Sequence, residues 1–461
     1  EASSLTFNAS NVTGVTNLTD TGSTALGTFS ALGDTSTKLK LADNSVGATF
    51  TYQANAVTGS TDSIDLTLSN VTGGATKITT ITGAIETLNL TSATSANTLR
   101  LESDAKTLNI SGSADLTLAE ASTVLNLTTV IDASNATGDI TLDSDHTATS
   151  AVTITGGSGN DSLTLSGGTT ATDTVSGGAG DDTITFTTDL ADADVINGGA
   201  GTDTLVGTDN QLTALTTANN ISNIEVLQAS TVLEATLTTA SVDTSIKSVT
   251  LAVGASAGTV TFGAGTNTLT MGSASAGALT VNDTGLATDD VLNITLSATA
   301  DSGNGKAATI NGFETVNIAA GALAAGQTFG AITINGDPDS AGTNTNATLD
   351  IGGSTAFTAA VITVGDATEG AGTIDASDLT GNFVQTGAAV GATTITGGSG
   401  NDTILGEDLA STLTGGAGND AITGGSKADI ISGGAGNDTI TLSAASSATD
   451  KDTITGGAGN D

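Results

Sequence analysis

A nine-residue unit of glycine and aspartate restricts the fold of this sequence more than any other feature. The pattern Gly-Gly-x-Gly-x-Asp-x-(Ile/Leu)-x begins at Gly156, Gly177, Gly198, Gly397, Gly415 and Gly433, and a seventh copy from Gly456 ends at Asp461. The first six residues of such a unit cannot extend as strand or helix, because consecutive glycines admit positive φ and close backbone approach, the makings of a tight turn. The residues after the Asp, as in Thr183-Ile184-Thr185, alternate and read as a short strand with one aliphatic facing inward.

Worn units of the same length lie between the complete ones. Residues 168–176 and 189–197 keep the Asp (Asp173, Asp194) and the aliphatic (Val175, Ile196). In the second cluster Ser411 replaces the Asp in 406–414, whereas Asp429 and Asp452 are kept in 424–432 and 447–455. Complete and worn units alternate, so one coil spans two units, with complete turns on side one and worn turns on side two. Turns of successive coils then stack ~4.8 Å apart, the spacing of neighbouring strands. Carboxylates in such a column repel one another unless a cation lies between them. Ca²⁺ suits the site, since it takes carboxylate and carbonyl oxygen together.

The candidate ligands on side one are Gly157, Gly159 and Asp161; Gly178, Gly180 and Asp182; Gly199, Gly201 and Asp203. In the second cluster they are Gly398, Gly400 and Asp402; Gly416, Gly418 and Asp420; Gly434, Gly436 and Asp438; Gly457, Gly459 and Asp461. Asp173, Asp194, Asp429 and Asp452 are weaker candidates on side two. Ions are expected between the turns starting at 156/177, 177/198, 397/415, 415/433 and 433/456, and the tripeptides 165–167 and 186–188 are expected to bulge.

Composition closes off other classes. The 461 residues hold nine basic and 48 acidic side chains, a net charge of −39, which argues against nucleic acid and anionic membrane surfaces. No apolar run reaches the ~20 residues of a membrane span. Absence of cysteine removes disulfides and thiolate chemistry. The lone His146, in Asp143-Ser144-Asp145-His146, reads as a solvated loop residue. Apolar residues at 37% and charged ones at 12% argue against a disordered chain.

A longer repeat is also present. Asp62–Ser69 (DSIDLTLS) matches Asp290–Ser297 (DVLNITLS), and Ile85–Leu90 matches Phe313–Ile318, both at an offset of 228. Ile131–Gly138 matches Ile374–Gly381, and each copy is followed by its glycine-rich cluster. Apolar-x-apolar triplets at Leu88/Leu90, Leu99/Leu101, Leu108/Ile110, Leu116/Leu118 and Leu125/Leu127 recur at steps of eight to eleven residues. Strands this short and regular suggest solenoid rungs, with a sandwich of short strands as the alternative. The expected layout is a β-rich solenoid module 1–155, a roll 156–210, a second module 211–396 and a second roll 397–461.

The glycine-rich unit resembles the RTX nonapeptide repeat, a Ca²⁺-binding β-helix repeat. The resemblance implies an all-β chain, a right-handed parallel β-solenoid with two calcium-binding β-roll segments in tandemly duplicated modules. It also implies several bound Ca²⁺ ions and type I secretion. The texture outside the rolls, such as Gly312–Ala319 (GFETVNIA), resembles RTX-type S-layer proteins of Gram-negative bacteria. That likeness implies a secreted, extracellular, non-enzymatic protein of the cell surface. It would assemble with itself into a lattice and hold surface polysaccharide or lipopolysaccharide through a further region. An RTX adhesin or biofilm-matrix protein is the nearest alternative. A polysaccharide-acting enzyme and an ice-binding solenoid fit less well, since substrate-gripping aromatics are scarce and exposed Thr is an ordinary strand former. Glu1 opens the chain without a leader and Asp461 closes it inside a repeat, so an anchor and an export signal are expected outside it. Glu86, Glu225 and Glu314 are read as caps at the solenoid edge, with a part as Ca²⁺ ligands as the alternative.

Overall fold

A computed structural model describes residues 5–10, 14–53, 55–80, 85–103, 105–118, 128–145, 150–166, 171–216, 220–284, 290–297, 300–321, 323, 325–336, 347–365, 372–443 and 449–461. The chain divides into two units, Glu1–Val226 and Leu227–Asp461. Each is a parallel β-solenoid of right-handed type with almost no helix. Consecutive strands fall on opposite sheets, and a strand pairs with those two places before and after it. In the first unit Thr107–Gly112 lies between Thr87–Ala93 and Val130–Ala136, while Leu116–Leu118 lies between Asn97–Ser103 and Ile140–Asp145, all parallel. Parallel pairing throughout excludes the sandwich of short strands, whose neighbours run antiparallel.

The apolar triplets now have a reason. Leu88/Leu90 and Leu108/Ile110 belong to one sheet, Leu99/Leu101 and Leu116/Leu118 to the other. Leu125/Leu127 lie outside the described residues, as does His146. In-register pairing stacks identical side-chain types into columns. One runs Ile64, Leu88, Leu108, Ile131, Ile154, Val175, Ile196, Ile221. Its counterpart in the second unit runs Leu292, Val316, Leu349, Ile374, Ile395, Leu413, Ile431, Ile454. Most of these side chains are fully buried, and burial contributes ~1.5–3 kcal/mol apiece. Both columns pass from the Thr/Leu-rich rungs into the glycine-rich segments, so each roll continues the solenoid of its own unit. Stacked aromatics thicken the core at Phe29/Phe50, with ring centroids 5.2 Å apart.

The duplicated segments form equivalent strands, Ser63–Ser69 in the first unit and Val291–Leu296 in the second. Among the described residues the helices are short, Asp209–Ala214 and Thr239–Val242. The first is fixed by a capping box in which Thr208 and Gln211 exchange side-chain-to-backbone bonds. Among the described residues no helix is long and apolar enough to cross a membrane.

Candidate metal centre

The turns of each glycine-rich cluster stack in register. Gly178 pairs with Gly199, Gly416 with Gly434, and Gly434 with Gly457. The backbone at the second and fourth glycines demands glycine: Gly178, Gly180, Gly199 and Gly201 hold φ of 116°, 112°, 117° and 143°. The second cluster repeats this at Gly416, Gly418, Gly434, Gly436, Gly457 and Gly459, with φ between 114° and 153°. Gly157, Gly159, Gly398 and Gly400, in the first turn of each cluster, stay outside the positive-φ region.

This difference moves one hydrogen bond. In the first turns the Gly157 and Gly398 N–H groups donate to Oδ2 of Asp161 and Asp402, at 2.6 and 2.7 Å. In the later turns the corresponding oxygens, Oδ2 of Asp182, Asp203, Asp420 and Asp438, are buried without a partner. The other oxygen, Oδ1, is always engaged. The Ile140, Asp161 and Asp182 N–H groups donate to Oδ1 of Asp161, Asp182 and Asp203, and Asp402 and Asp420 N–H to Asp420 and Asp438. In the later turns Asp182, Asp203, Asp420 and Asp438 are thus held by one oxygen and present the other, whereas Asp161 and Asp402 are bonded at both.

Beside the presented oxygen the turns pack closely. A Cβ built on the leading glycine, Gly177, Gly415 or Gly433, would come closer than 3.0 Å to its own Asp Oδ2 and to the carbonyl oxygen of the next leading glycine. A buried carboxylate oxygen and a carbonyl oxygen therefore converge on a point that only glycine leaves free of a side chain. Among the described residues no three acidic or imidazole side chains converge, so a cation here would rely on carbonyls for much of its shell. This donor set suits Ca²⁺.

The electrostatics agree. Burial pushes the Asp182 carboxyl up to about 7 against the Asp161 N–H bond, and the Asp161 and Asp203 charges add to the rise. Asp402 rises to about 6 through burial and the Asp420 charge, opposed by the Phe383 and Gly398 N–H groups. Burial raises Asp161, Asp203 and Asp420 as well. The ion pairs Lys38–Asp65, Arg100–Glu102 and Lys427–Asp450 involve none of these carboxylates. A buried anion without a partner is costly, and at neutral pH either a proton or a cation must relieve it.

Side two differs from the later turns of side one and resembles its first turns. Asp194 accepts from Asp173 N–H and Ala191 N–H, both at 2.9 Å, and Asp429 from Ser411 N–H at 2.9 Å and Gly425 N–H at 2.8 Å. Asp173 Oδ1 accepts from Val152 N–H, Asp452 Oδ1 from Asp429 N–H, and the Ser411 hydroxyl donates to Leu409 O. These side chains close their turns by themselves. The inserted tripeptides lengthen strands instead of bulging at their start: Leu165 and Phe186 are buried and paired in register. Gly167 lies outside the described residues.

The profile of the RTX calcium-binding nonapeptide repeat (4 copies) matches residues 149–170, 167–185, 188–210, 389–408, 410–444 and 448–461, just over a quarter of the chain. The two clusters are RTX repeats. RTX repeats bind Ca²⁺, and proteins that carry them are typically secreted. Comparison with curated proteins gives no match.

Sequence reasoning passed over two parts of the RTX turns. The leading glycines, Gly156, Gly177, Gly198, Gly397, Gly415, Gly433 and Gly456, keep that point free, and their presence in every copy was the available signal. The fifth position forms a second ladder, in which Asn160, Asp181 and Thr202 N–H donate to Asp139, Asn160 and Asp181 Oδ1, and Asn419 and Asn437 N–H to Asn401 and Asn419 Oδ1. The three glutamates link neighbouring coils: Asp62, Asp203 and Asp290 N–H donate to Glu86, Glu225 and Glu314 Oε2 at 3.0, 2.9 and 2.8 Å.

Proposed function

We propose that this chain is a secreted structural protein whose two rolls fold on binding Ca²⁺, and that copies of it assemble into a bacterial surface layer. The observation that carries the calcium part is the set of partnerless buried oxygens on Asp182, Asp203, Asp420 and Asp438, one in every described later turn of side one except that of Asp461, which is exposed. In this reading Asp161, Asp182 and Asp203, then Asp402, Asp420, Asp438 and Asp461, hold the ions together with carbonyls of the leading glycines and of the glycines at positions two and four. Bound Ca²⁺ supplies the positive charge that these carboxylates otherwise take from protons. The chain's own part is positioning: backbone N–H groups fix one oxygen of each Asp, and glycine keeps the neighbouring point free of a side chain. Asp173, Asp194, Asp429 and Asp452 serve as turn closures, since none of the four carries a buried partnerless oxygen to offer an ion.

Folding then waits on calcium. Without the ion, the rolls carry unfavourable buried charge and a large glycine entropy cost; with it, binding free energy becomes folding free energy. Millimolar extracellular Ca²⁺ lies within the range of weak extracellular sites. The lattice part rests on the resemblance to RTX-type S-layer proteins and on the acidic, regular Thr/Asn exterior. In this reading the protein is non-enzymatic, its repeat aspartates serving turn geometry and ions. Electron microscopy of the purified chain with Ca²⁺ and with chelator tests this: sheets that form with Ca²⁺ and dissolve on chelation support it. Discrete monomers under both conditions favour an adhesin or matrix protein, and folding unchanged by chelator refutes the calcium part.

A further inference from the structure

A carboxylate far from either cluster has the same constitution as the RTX aspartates. Asp290 lies between the repeat-matched segments, which end at 210 and resume at 389. Its side chain is 0% exposed, and its Oδ2 is buried without a partner. Its bonds follow those of Asp203. The Gly265 N–H of the preceding coil donates to Asp290 Oδ1, as Asp182 N–H does to Asp203 Oδ1. The Asp290 N–H donates to the Glu314 carboxylate of the following coil, as Asp203 N–H does to Glu225. The Asp290 carbonyl accepts from Glu314 and Thr315 N–H, as that of Asp203 accepts from Glu225 and Val226 N–H.

A second partnerless oxygen belongs to a residue bonded to the same glycine. Asn267 is 0% exposed, and its amide nitrogen donates to Gly263 O at 2.8 Å and Gly265 O at 3.0 Å. These bonds fix the amide so that Oδ1 is the atom left buried and unpaired. Asp290 and Asn267 therefore grip the two ends of one residue, Gly265, and each presents an unsatisfied oxygen. Two such atoms together are costly in an apolar interior, since each has lost its water without gaining a hydrogen bond in return. A ligand that accepts oxygen lone pairs removes both costs; carboxylate, amide and carbonyl oxygens without nitrogen or sulfur select a hard divalent cation.

We infer that Asp290 and Asn267 form a Ca²⁺ site outside the repeats, assembled on Gly265 and backed by the Glu314 carboxylate. The duplication carries half of the arrangement a second time. At the offset of 228, Asp62 also has a buried, partnerless Oδ2 and donates its N–H to Glu86.

The test counts ions on the full chain. Native mass spectrometry in excess Ca²⁺ should find one ion fewer on Asp290→Asn, which keeps the shape and removes the charge, than on the unsubstituted protein. Equal ion counts on two folded proteins overturn the site. If Asp290→Asn fails to fold, crystals of the unsubstituted chain soaked in Tb³⁺ decide by anomalous scattering. A peak in contact with Asp290 Oδ2 and Asn267 Oδ1 supports the site. Peaks beside Asp182 and Asp420 with none at Asp290 overturn it while leaving the rolls intact; absence of peaks at all three overturns both.

Discussion

Replacing Gly178 by alanine separates the role of glycine in the roll from that of any neighbouring carboxylate. Gly178 holds φ of 116°, where an L side chain costs ~1–3 kcal/mol of backbone strain. The added Cβ would also come closer than 3.0 Å to the Gly157 carbonyl oxygen, and overpacking of this kind costs ~1–3 kcal/mol. Taking about 3 kcal/mol for the sum, the folding constant of the first roll drops roughly 100-fold. If folding is coupled to two ions held between three turns, that loss is shared, and the Ca²⁺ midpoint rises about tenfold. Hydrogen exchange read by mass spectrometry along a Ca²⁺ titration resolves the effect, because Thr174–Ala179 and Val195–Ala200 report the first roll and Thr412–Ala417 the second. Only the first should shift. Gly59→Ala is the control: Gly59 holds φ of 115° but its Cβ meets nothing within 4 Å, so it carries strain without collision and leaves both midpoints in place. Protection of Thr174–Ala179 at unchanged Ca²⁺ in Gly178→Ala would refute the close-stacked turn.

Other expectations follow from the same geometry. In chelator, the raised carboxyls of Asp182 (about 7) and Asp402 (about 6) bind protons in the fold that the unfolded chain releases. The metal-free rolls are therefore most stable below about pH 4 and lose that stability as pH rises through 6 to 7; circular dichroism showing the opposite trend rejects the reading. Asp182→Asn should lose one Ca²⁺ by native mass spectrometry. Asp194→Asn should keep the ion count and cost ~1–3 kcal/mol, because its two N–H partners then face an amide. Phe50→Ala, which removes a fully buried ring stacked on Phe29, should cost ~3–5 kcal/mol in the first unit whether or not Ca²⁺ is present; a loss seen only in chelator contradicts it.

Much of this architecture was legible because a solenoid writes its contacts locally. The Leu-x-Leu triplets gave the rungs, since alternation along a strand depends on nearest neighbours. What they could not give was the sheet to which each rung belongs, because that depends on where the chain turns between Leu90 and Leu99. The Asp at the sixth position was legible as a ligand candidate, but the division of labour between its oxygens was not. That depends on whether Gly157 or Gly178 takes positive φ, a property set by the coil beneath. Asp290 escaped notice for a related reason: it reproduces the bonding of Asp203 without the flanking glycines that make Asp203 conspicuous.

The carboxylate ladder also bears on how such a protein can change in length. The same N–H-to-Oδ1 bond joins residues 21 apart at Asp161/Asp182, 18 apart at Asp402/Asp420 and 23 apart at Asp438/Asp461. The link measures position in the stack and is indifferent to how much chain is looped out between its ends. A whole coil could be inserted or deleted by breaking one such link and remaking it. Neighbouring coils would keep their partners, as expected where stability sums over nearest neighbours. Roll length is thus a quantity that duplication can adjust in whole steps, each step bringing one further cation position.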